Sequence, residues 1–495
     1  MIEKIKRHKG LLRLSLMIVL SCMLQVISLM KSSVVAGRFG VTSAMDSFNF
    51  ANSIATFIFS FVIAGVSTVV IPCYVKRGNR KYTDAFLTAI FIGITAIAAL
   101  VLLLRIPLIT VITGRNVEFV KLAGNIMVIL ICSNWFSVFT SVTSAYFQYA
   151  EKYNIPKVIS LIMQLGVVLL LIFNTNISVL GYAGIVGAGI ILNSLMDIIF
   201  AVKSGWRYKP VFSVKDTETR KLLKMFAPIL LSTGVYQISL MVDSAIASRL
   251  NTGDISVLNY ANQISSMVNT LLVNNLLVYF YPKLVQDIEN NREQNTFWEK
   301  TYFFHAIMCL VIAGFAVIGR EGISVLFEHG EFHAQATETV FVLSLIYISG
   351  LQFNVIRDLI YRYFYSCSDT KSPTMNSIMA TLVNIVTSLI LVKFIGIYGI
   401  VIGTVVASII SMISIMVRFK IQFDYEKKVE HIIFQYIKTV MIMLGTVLLT
   451  EGTKCFFHIS NKIVSILVFG VEVVLIYIVL TMIFNRKLKD IVAEI

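Results

Sequence analysis

Residues 85 to 104, "AFLTAIFIGITAIAALVLLL", run for twenty positions without a charged side chain or a proline, and stretches of this kind recur along the whole chain. A bilayer core holds no water to satisfy backbone N–H and C=O groups, so a segment of about 20 apolar residues is stable there as a helix. Recurrence of such segments confines the chain to one class, an all-α polytopic membrane protein. Composition agrees: 57% of residues are hydrophobic, 14% are charged and the mean hydropathy is +0.82, far more apolar than a soluble domain. The first thirty residues join a basic head to an apolar run, as a signal peptide does, but the run is long and no small-residue cleavage site closes it. They read as a retained first span.

About 14 transmembrane helices are predicted, the first over 11 to 37, the third over 85 to 111 and the last over 463 to 484. A cytoplasmic N-terminus puts 29 Lys and Arg residues in cytoplasmic segments and nine in external ones, as the positive-inside rule requires. The expectation is a multi-pass plasma-membrane protein with N- and C-termini both cytoplasmic. Its net charge of +15 then reflects the cytoplasmic loops, and no nucleic acid is expected as a partner. The six cysteines form no CxxC pair and no metal-ligand spacing, so no metal site is expected and they read as packing residues.

Short strings recur in order along the chain. "ISLMKSSVVAGR" (27 to 38) returns as "ISLMVDSAIASR" (238 to 249), "NFANS" (49 to 53) as "NYANQ" (259 to 263), and Pro72 as Pro282. "YFQYAEKYNIP" (146 to 156) matches "YFYSCSDTKSP" (363 to 373), and "GYAGIV" (181 to 186) matches "GIYGIV" (396 to 401). Offsets of 211, 210, 217 and 215 indicate a duplicated six-helix unit. Six is even, so both copies enter from the same side and the two repeats are parallel around a central cavity, a transporter architecture. The expected organisation is an N-terminal six-helix bundle (1-202), a basic cytoplasmic linker (203-224), a C-terminal six-helix bundle (225-418), and two extra C-terminal helices, 13 and 14, with a cytoplasmic tail (419-495). The linker, "KSGWRYKPVFSVKDTETRKLLK", reads as a topogenic segment near anionic headgroups, with a specific partner site as the other reading.

Polar residues fall in stripes. At 100° per residue, Ser21, Gln25, Ser28, Lys31 and Ser32 share a sector of roughly 120° on the first helix. Helix two carries Asp46, Asn49, Asn52, Ser53, Thr56 and Ser60; helix seven carries Gln237 and Asp243; helix eight carries Asn259, Asn262, Gln263 and Ser266. Ionisable residues inside a span are costly and normally face protein or a water-filled cavity. A substrate cavity explains the shared stripe; the alternatives are snorkelling for Lys31 and interhelical hydrogen bonds for the amides and hydroxyls. Helix ten adds "NVIRDLIYRYFY", in which Asp358 and Arg362, four apart, are expected to pair and leave Arg357 freer for a ligand. The candidate substrate-binding residues are thus Lys31, Asp46, Asn49, Asn52, Gln237, Asp243, Asn262, Gln263, Arg357 and Arg362. The mixture of Lys31, Arg357 and Arg362 with Asp46, Asp243 and Asp358 suits an anionic headgroup bearing hydroxyls better than a lipophilic cation.

No GxxxxGK[ST] phosphate loop occurs, so no cofactor is expected and work comes from the membrane potential, a monovalent cation gradient or the substrate gradient. "FEHGEFH" (327 to 333) sets His329 and His333 four apart around Glu331, yet the glutamate is misplaced for HExxH and no third ligand is apparent. A turn at Gly330 is the favoured reading. No catalytic cluster is visible in the loops, so the chain is not expected to be an enzyme.

"FGVTSAMDSF" (39 to 48), "APILLSTGVYQISL" (227 to 240), the "YAN" of helix eight, "LFEHGEF" and "FYSCSDTKSP" together resemble the MviN/MurJ family of lipid II flippases, over roughly residues 10 to 420. That family lies in the superfamily of multidrug, oligosaccharidyl-lipid and polysaccharide exporters. The resemblance implies translocation of an undecaprenyl-pyrophosphate-linked saccharide, such as the peptidoglycan precursor lipid II, to the outer leaflet by alternating access. It also implies that cavity cations hold the diphosphate, with Lys31 standing where the family has an arginine and Asp46 matching an aspartate at the start of helix two. Helices 13 and 14 would form a groove for the lipid tail. The chain departs from the family at Gln25, Phe59 and Gln263, where arginines are typical. Implied partners are the lipid-linked saccharide, the bilayer and cell-wall synthesis enzymes. The other readings are an exopolysaccharide or teichoic-acid unit flippase and a cation-coupled multidrug antiporter.

Overall fold

The computed structural model describes residues 2–75, 80–213, 216–274, 294–367, 369–422, 429–457 and 459–485. Among these the regular secondary structure is all helical, and eleven helices are long and apolar enough to cross a membrane. The expected fourteen include α2 (Ser43–Val75), α8 (Thr217–Ser248) and α9 (Asp254–Val268), which are outside those eleven. Pro282 and the end of the expected eighth span lie outside the described residues.

Two compact units make up the chain, Met1–Ser256 and Val257–Ile495. In the first, α1 (Ile2–Phe39) packs on α6 (Asn154–Phe173), while α2 packs on α5 (Val117–Tyr149) and α8, and α5 on α7 (Val179–Lys203). Helix α8, which the repeat pattern sets at the head of the second copy, therefore belongs to the first compact unit. The expected third span is divided into α3 (Arg80–Leu103) and α4 (Arg105–Thr113). Pro107 explains the break: it has no N–H to give the Leu103 carbonyl, and its ring crowds that carbonyl.

The basic linker is more ordered than a slack tether. Its residues 207 to 211 lie against α3, where the Lys209 N–H donates to Asp84 Oδ2 at 3.4 Å and the Val211 N–H to Thr88 Oγ1 at 3.1 Å. Trp206 Nε1 donates to the Tyr74 hydroxyl at 3.2 Å, and burial pushes the Tyr208 phenol above its usual range. From Thr217 the chain is already α8.

In the second unit, α10 (Gln294–Phe327) packs on α11 (Ala334–Ser366) and on the C-terminal pair α14 (Val429–Phe456) and α15 (Lys462–Phe484). Helices α12 (Lys371–Ile395) and α13 (Ile397–Gln422) lie close because Gly399 and Gly403 form a GxxxG stripe; a Cβ on Gly403 would come within 2.9 Å of the Ser388 nitrogen. Exposed leucines and valines of α15, Leu467, Val471 and Leu475, follow one another at helical spacing and give it a lipid-compatible outer face.

The duplicated strings end alike in space as well as in sequence. Arg38 closes α1 and donates to the Ile172 and Asn174 carbonyls at the end of α6; Arg249 follows α8 and donates to the Val111 and Ile112 carbonyls at the end of α4. Each arginine satisfies C-terminal carbonyls that a helix cannot pair internally, at the negative end of its dipole.

Candidate functional site

The polar stripe of α1 is turned into the first unit. Its exposed face is Leu16, Val19, Met23, Val26 and Met30, on the opposite side from Ser21, Ser28 and Ser32. Ser21 receives a hydrogen bond from Lys157 of α6, and Ser32 donates to the Ser28 carbonyl at 3.0 Å. Lys31 is partly buried on the edge of this stripe, and no described residue gives it a hydrogen bond or an ion pair.

Asp46, in the first turn of α2, is fully buried and occupied. Its carboxylate accepts from the Gly253 N–H at 2.6 Å, the Ser256 N–H at 2.9 Å and the Ser256 hydroxyl at 2.8 Å. The first amides of a helix have no partners within it, so Asp46 caps α9 from a neighbouring helix and sets its charge at the positive end of the dipole. Gly253, at φ 95°, makes the approach possible, since a Cβ there would collide with Val41.

Two arginines complete the closure. Arg115, between α4 and α5, stands 3.9 Å from Asp46 and donates to the Ser248 and Asn251 carbonyls, each at 2.8 Å, and to the Thr252 hydroxyl at 3.1 Å. Arg249 reaches back to α4. Deeper along α2, Asn49 donates to the Ser256 hydroxyl at 3.1 Å, and the Ser53 and Ser244 hydroxyls lie 3.0 Å apart. One end of α2 is thus clasped to the α8–α9 turn by a column of polar contacts. Asp46 and Asn49, both among the candidate binding residues, meet in this clasp: the bare amides of the α9 N-terminus hold Asp46, and the Ser256 hydroxyl accepts from Asn49.

The remaining candidates divide between the units. In the first, Asn52 and Gln237 are partly buried and Asp243 is buried next to Ser244. In the second, Asn262 and Gln263 of α9 are partly buried, as are Arg357 and Arg362 of α11. Asp358 takes Arg357 rather than the expected Arg362: Arg357 Nε and Nη2 lie 3.0 and 2.9 Å from Asp358 Oδ1. The Tyr361 ring, one turn on and 5.5 Å from the guanidinium, gives the cation a face to rest on and favours this pairing.

"FEHGEFH" forms a turn between α10 and α11, with Gly330 at φ 59°. Hydrogen bonds from Ser324 and Thr337 and the nearby Lys462 ammonium hold the Glu328 carboxyl below the usual carboxylate range. Among the described residues no His, Cys, Asp and Glu cluster could hold a metal ion.

Arg115 and Arg249 are two of the nine external Lys and Arg residues, and nothing in their immediate sequence marks Arg115 for the clasp. A signal for Arg249 was present, since it closes the repeated string as Arg38 does.

The model of the family described as lipid II flippase MurJ matches residues 35–469, most of the chain. The chain belongs to the lipid II flippase MurJ family. It is 24% identical over 402 residues to "Probable lipid II flippase MurJ" of Vibrio cholerae, covering 76% of this chain and 77% of that one. A Thermotoga maritima protein of the same name is 22% identical over 391 residues, covering 76% and 78%. Among solved structures, "Lipid II flippase MurJ, inward closed conformation" superposes with a TM-score of 0.80 at 20% identity, over 96% of this chain and 99% of that one. An inward-facing multidrug transporter of the MATE family in the MOP superfamily gives 0.66 at 14% identity, over 81% and 94%. These structural likenesses establish the fold. This MurJ-family chain is accordingly a multi-pass membrane protein of a transporter family rather than an enzyme.

Proposed function

We propose that the chain is a flippase that carries an undecaprenyl-pyrophosphate-linked saccharide, lipid II, from the cytoplasmic to the outer leaflet by alternating access. The observation that carries this reading is Lys31: an ammonium on the inward stripe of α1, with no described partner, in a chain of this family. A diphosphate is the counter-charge such a residue lacks, and a charge-assisted contact with it is strong where water is sparse. In the first unit Asn52 and Gln237 offer amides for sugar and peptide groups. Asp243 would orient hydroxyls or balance charge.

The clasp around Asp46 supports a gate. Its contacts join α2 to α8 and the first turn of α9, so they break if that end opens and re-form when it shuts. The Lys and Arg distribution supports cytoplasmic termini, which sets the clasp at the external end. The driving force in this reading is the membrane potential or a monovalent cation gradient, and enzymes of cell-wall synthesis supply and consume the substrate on the two sides.

Expression in cells depleted of their own lipid II flippase tests the proposal. Growth and exposure of lipid II on the outer leaflet are expected to return together. Good expression in the membrane with neither restored would refute lipid II as the substrate.

A further inference from the structure

Helix α7 carries an acid that neither the clasp nor the Lys31 stripe uses. Asp197 is 1% exposed. Its Oδ2 accepts from the Asn193 side-chain amide at 3.0 Å, while Oδ1 has no hydrogen-bond partner. Thr140 of α5 stands beside the carboxyl and shares its hydroxyl between Asp197 and Ser194 Oγ, the latter at 2.9 Å, and Ser194 in turn donates to the Ile190 carbonyl at 2.9 Å. The Ser194 proton is spent on its own helix, and both hydroxyl oxygens keep lone pairs.

Helices α2, α5 and α6 pack against α7, and among the described residues none of them sets a Lys, Arg or His in an ion pair with Asp197, nor does any other titratable group act on it. A buried carboxylate with one amide donor, one shared hydroxyl and no cation is poorly stabilised in a membrane interior. A carboxylate oxygen beside hydroxyl oxygens is instead the donor set that hard monovalent cations and protons seek.

We propose that Asp197, Thr140 and Ser194 form a monovalent-cation site in the first unit, filled by a sodium ion or a proton. Six residues separate Asp197 from Lys203 at the end of α7, about 9 Å along the axis, so the site is within reach of one membrane face. The site concerns ion occupancy alone and stands whether or not lipid II is the substrate.

Thermal unfolding of the purified full chain in detergent tests it, comparing wild type with Asp197→Asn at constant ionic strength. For sodium, replacing N-methylglucamine by Na⁺ raises the wild-type Tm by about 2 °C or more and leaves Asp197→Asn unmoved. For a proton, Na⁺ has no effect; a proton bound only in the folded state stabilises it, so the wild-type Tm falls as pH rises from 5 to 9 more steeply than that of Asp197→Asn. Thr140→Val keeps the carboxyl and removes one hydroxyl; it is the second variant should Asp197→Asn fail to fold, and it shifts the midpoint of whichever dependence is seen by about threefold or more in cation concentration. Na⁺ and pH responses in the variants indistinguishable from wild type would overturn the proposal.

Discussion

Replacing Asp46 by Asn changes one oxygen of the clasp into an amide and removes its charge. In the wild type three donors converge on this carboxylate, from Gly253 and Ser256, with Arg115 at 3.9 Å. The variant's Oδ1 can keep the Ser256 bonds, but its Nδ2 then faces the Gly253 N–H and the Arg115 guanidinium, donor against donor. One lost bond to a charged acceptor is worth about 1.5–3 kcal/mol, and the orphaned amide adds its own burial cost of about 1 kcal/mol or more. A loss near 3 kcal/mol follows, which for a unit of 256 residues corresponds to a fall in Tm of about 6 to 12 °C at most. Ser256→Ala, which removes only the hydroxyl bonds, is expected to cost about 1 kcal/mol. Differential scanning fluorimetry of the purified variants measures both, and the double variant should show clear coupling because the two residues touch. Asp46→Asn within about 1 °C of wild type, or fully additive with Ser256→Ala, would refute the capping argument.

Gly253→Ala should destabilise by about 1–3 kcal/mol, since alanine at φ 95° is strained and its methyl meets Val41; a Tm equal to wild type would count against the close approach. Asp369, between α11 and α12, is held below the usual carboxylate range by hydrogen bonds from the Ser372 hydroxyl and N–H. A depressed carboxyl stabilises the fold above its unfolded pKa and loses that contribution as pH falls through the folded one, so wild type should lose more Tm than Asp369→Asn between pH 6 and pH 3; parallel profiles would contradict this.

The membrane class and family were legible because they rest on long-range regularities: apolar runs of bilayer length, charge asymmetry and strings recurring some 210 residues apart. The residues of the site were less so. Periodicity set Asp46 and Asn49 on a polar face correctly, but a face does not reveal its partner, and here that partner is the bare N-terminus of α9, 207 to 210 residues away in sequence. Arg357 and Asp358 show the same limit. A four-residue spacing favoured Arg362 as the partner, whereas the pair formed between neighbours because the Tyr361 ring holds the guanidinium. Pro107 was visible as a helix breaker and still lay inside one expected span, since hydropathy alone does not register the lost N–H. Asp197 fell in a run apolar enough to conceal a single buried acid.

The central claim is that Lys31 offers its charge to the diphosphate of the carried lipid. Flipping of a labelled lipid-linked diphosphate saccharide by the purified chain in liposomes tests it, comparing wild type, Lys31→Ala and Lys31→Arg. Loss of one charge-assisted contact of about 1.5–3 kcal/mol predicts a fall of roughly 10- to 100-fold in Lys31→Ala, with most of the rate retained in Lys31→Arg. Flipping by Lys31→Ala at the wild-type rate would contradict the account.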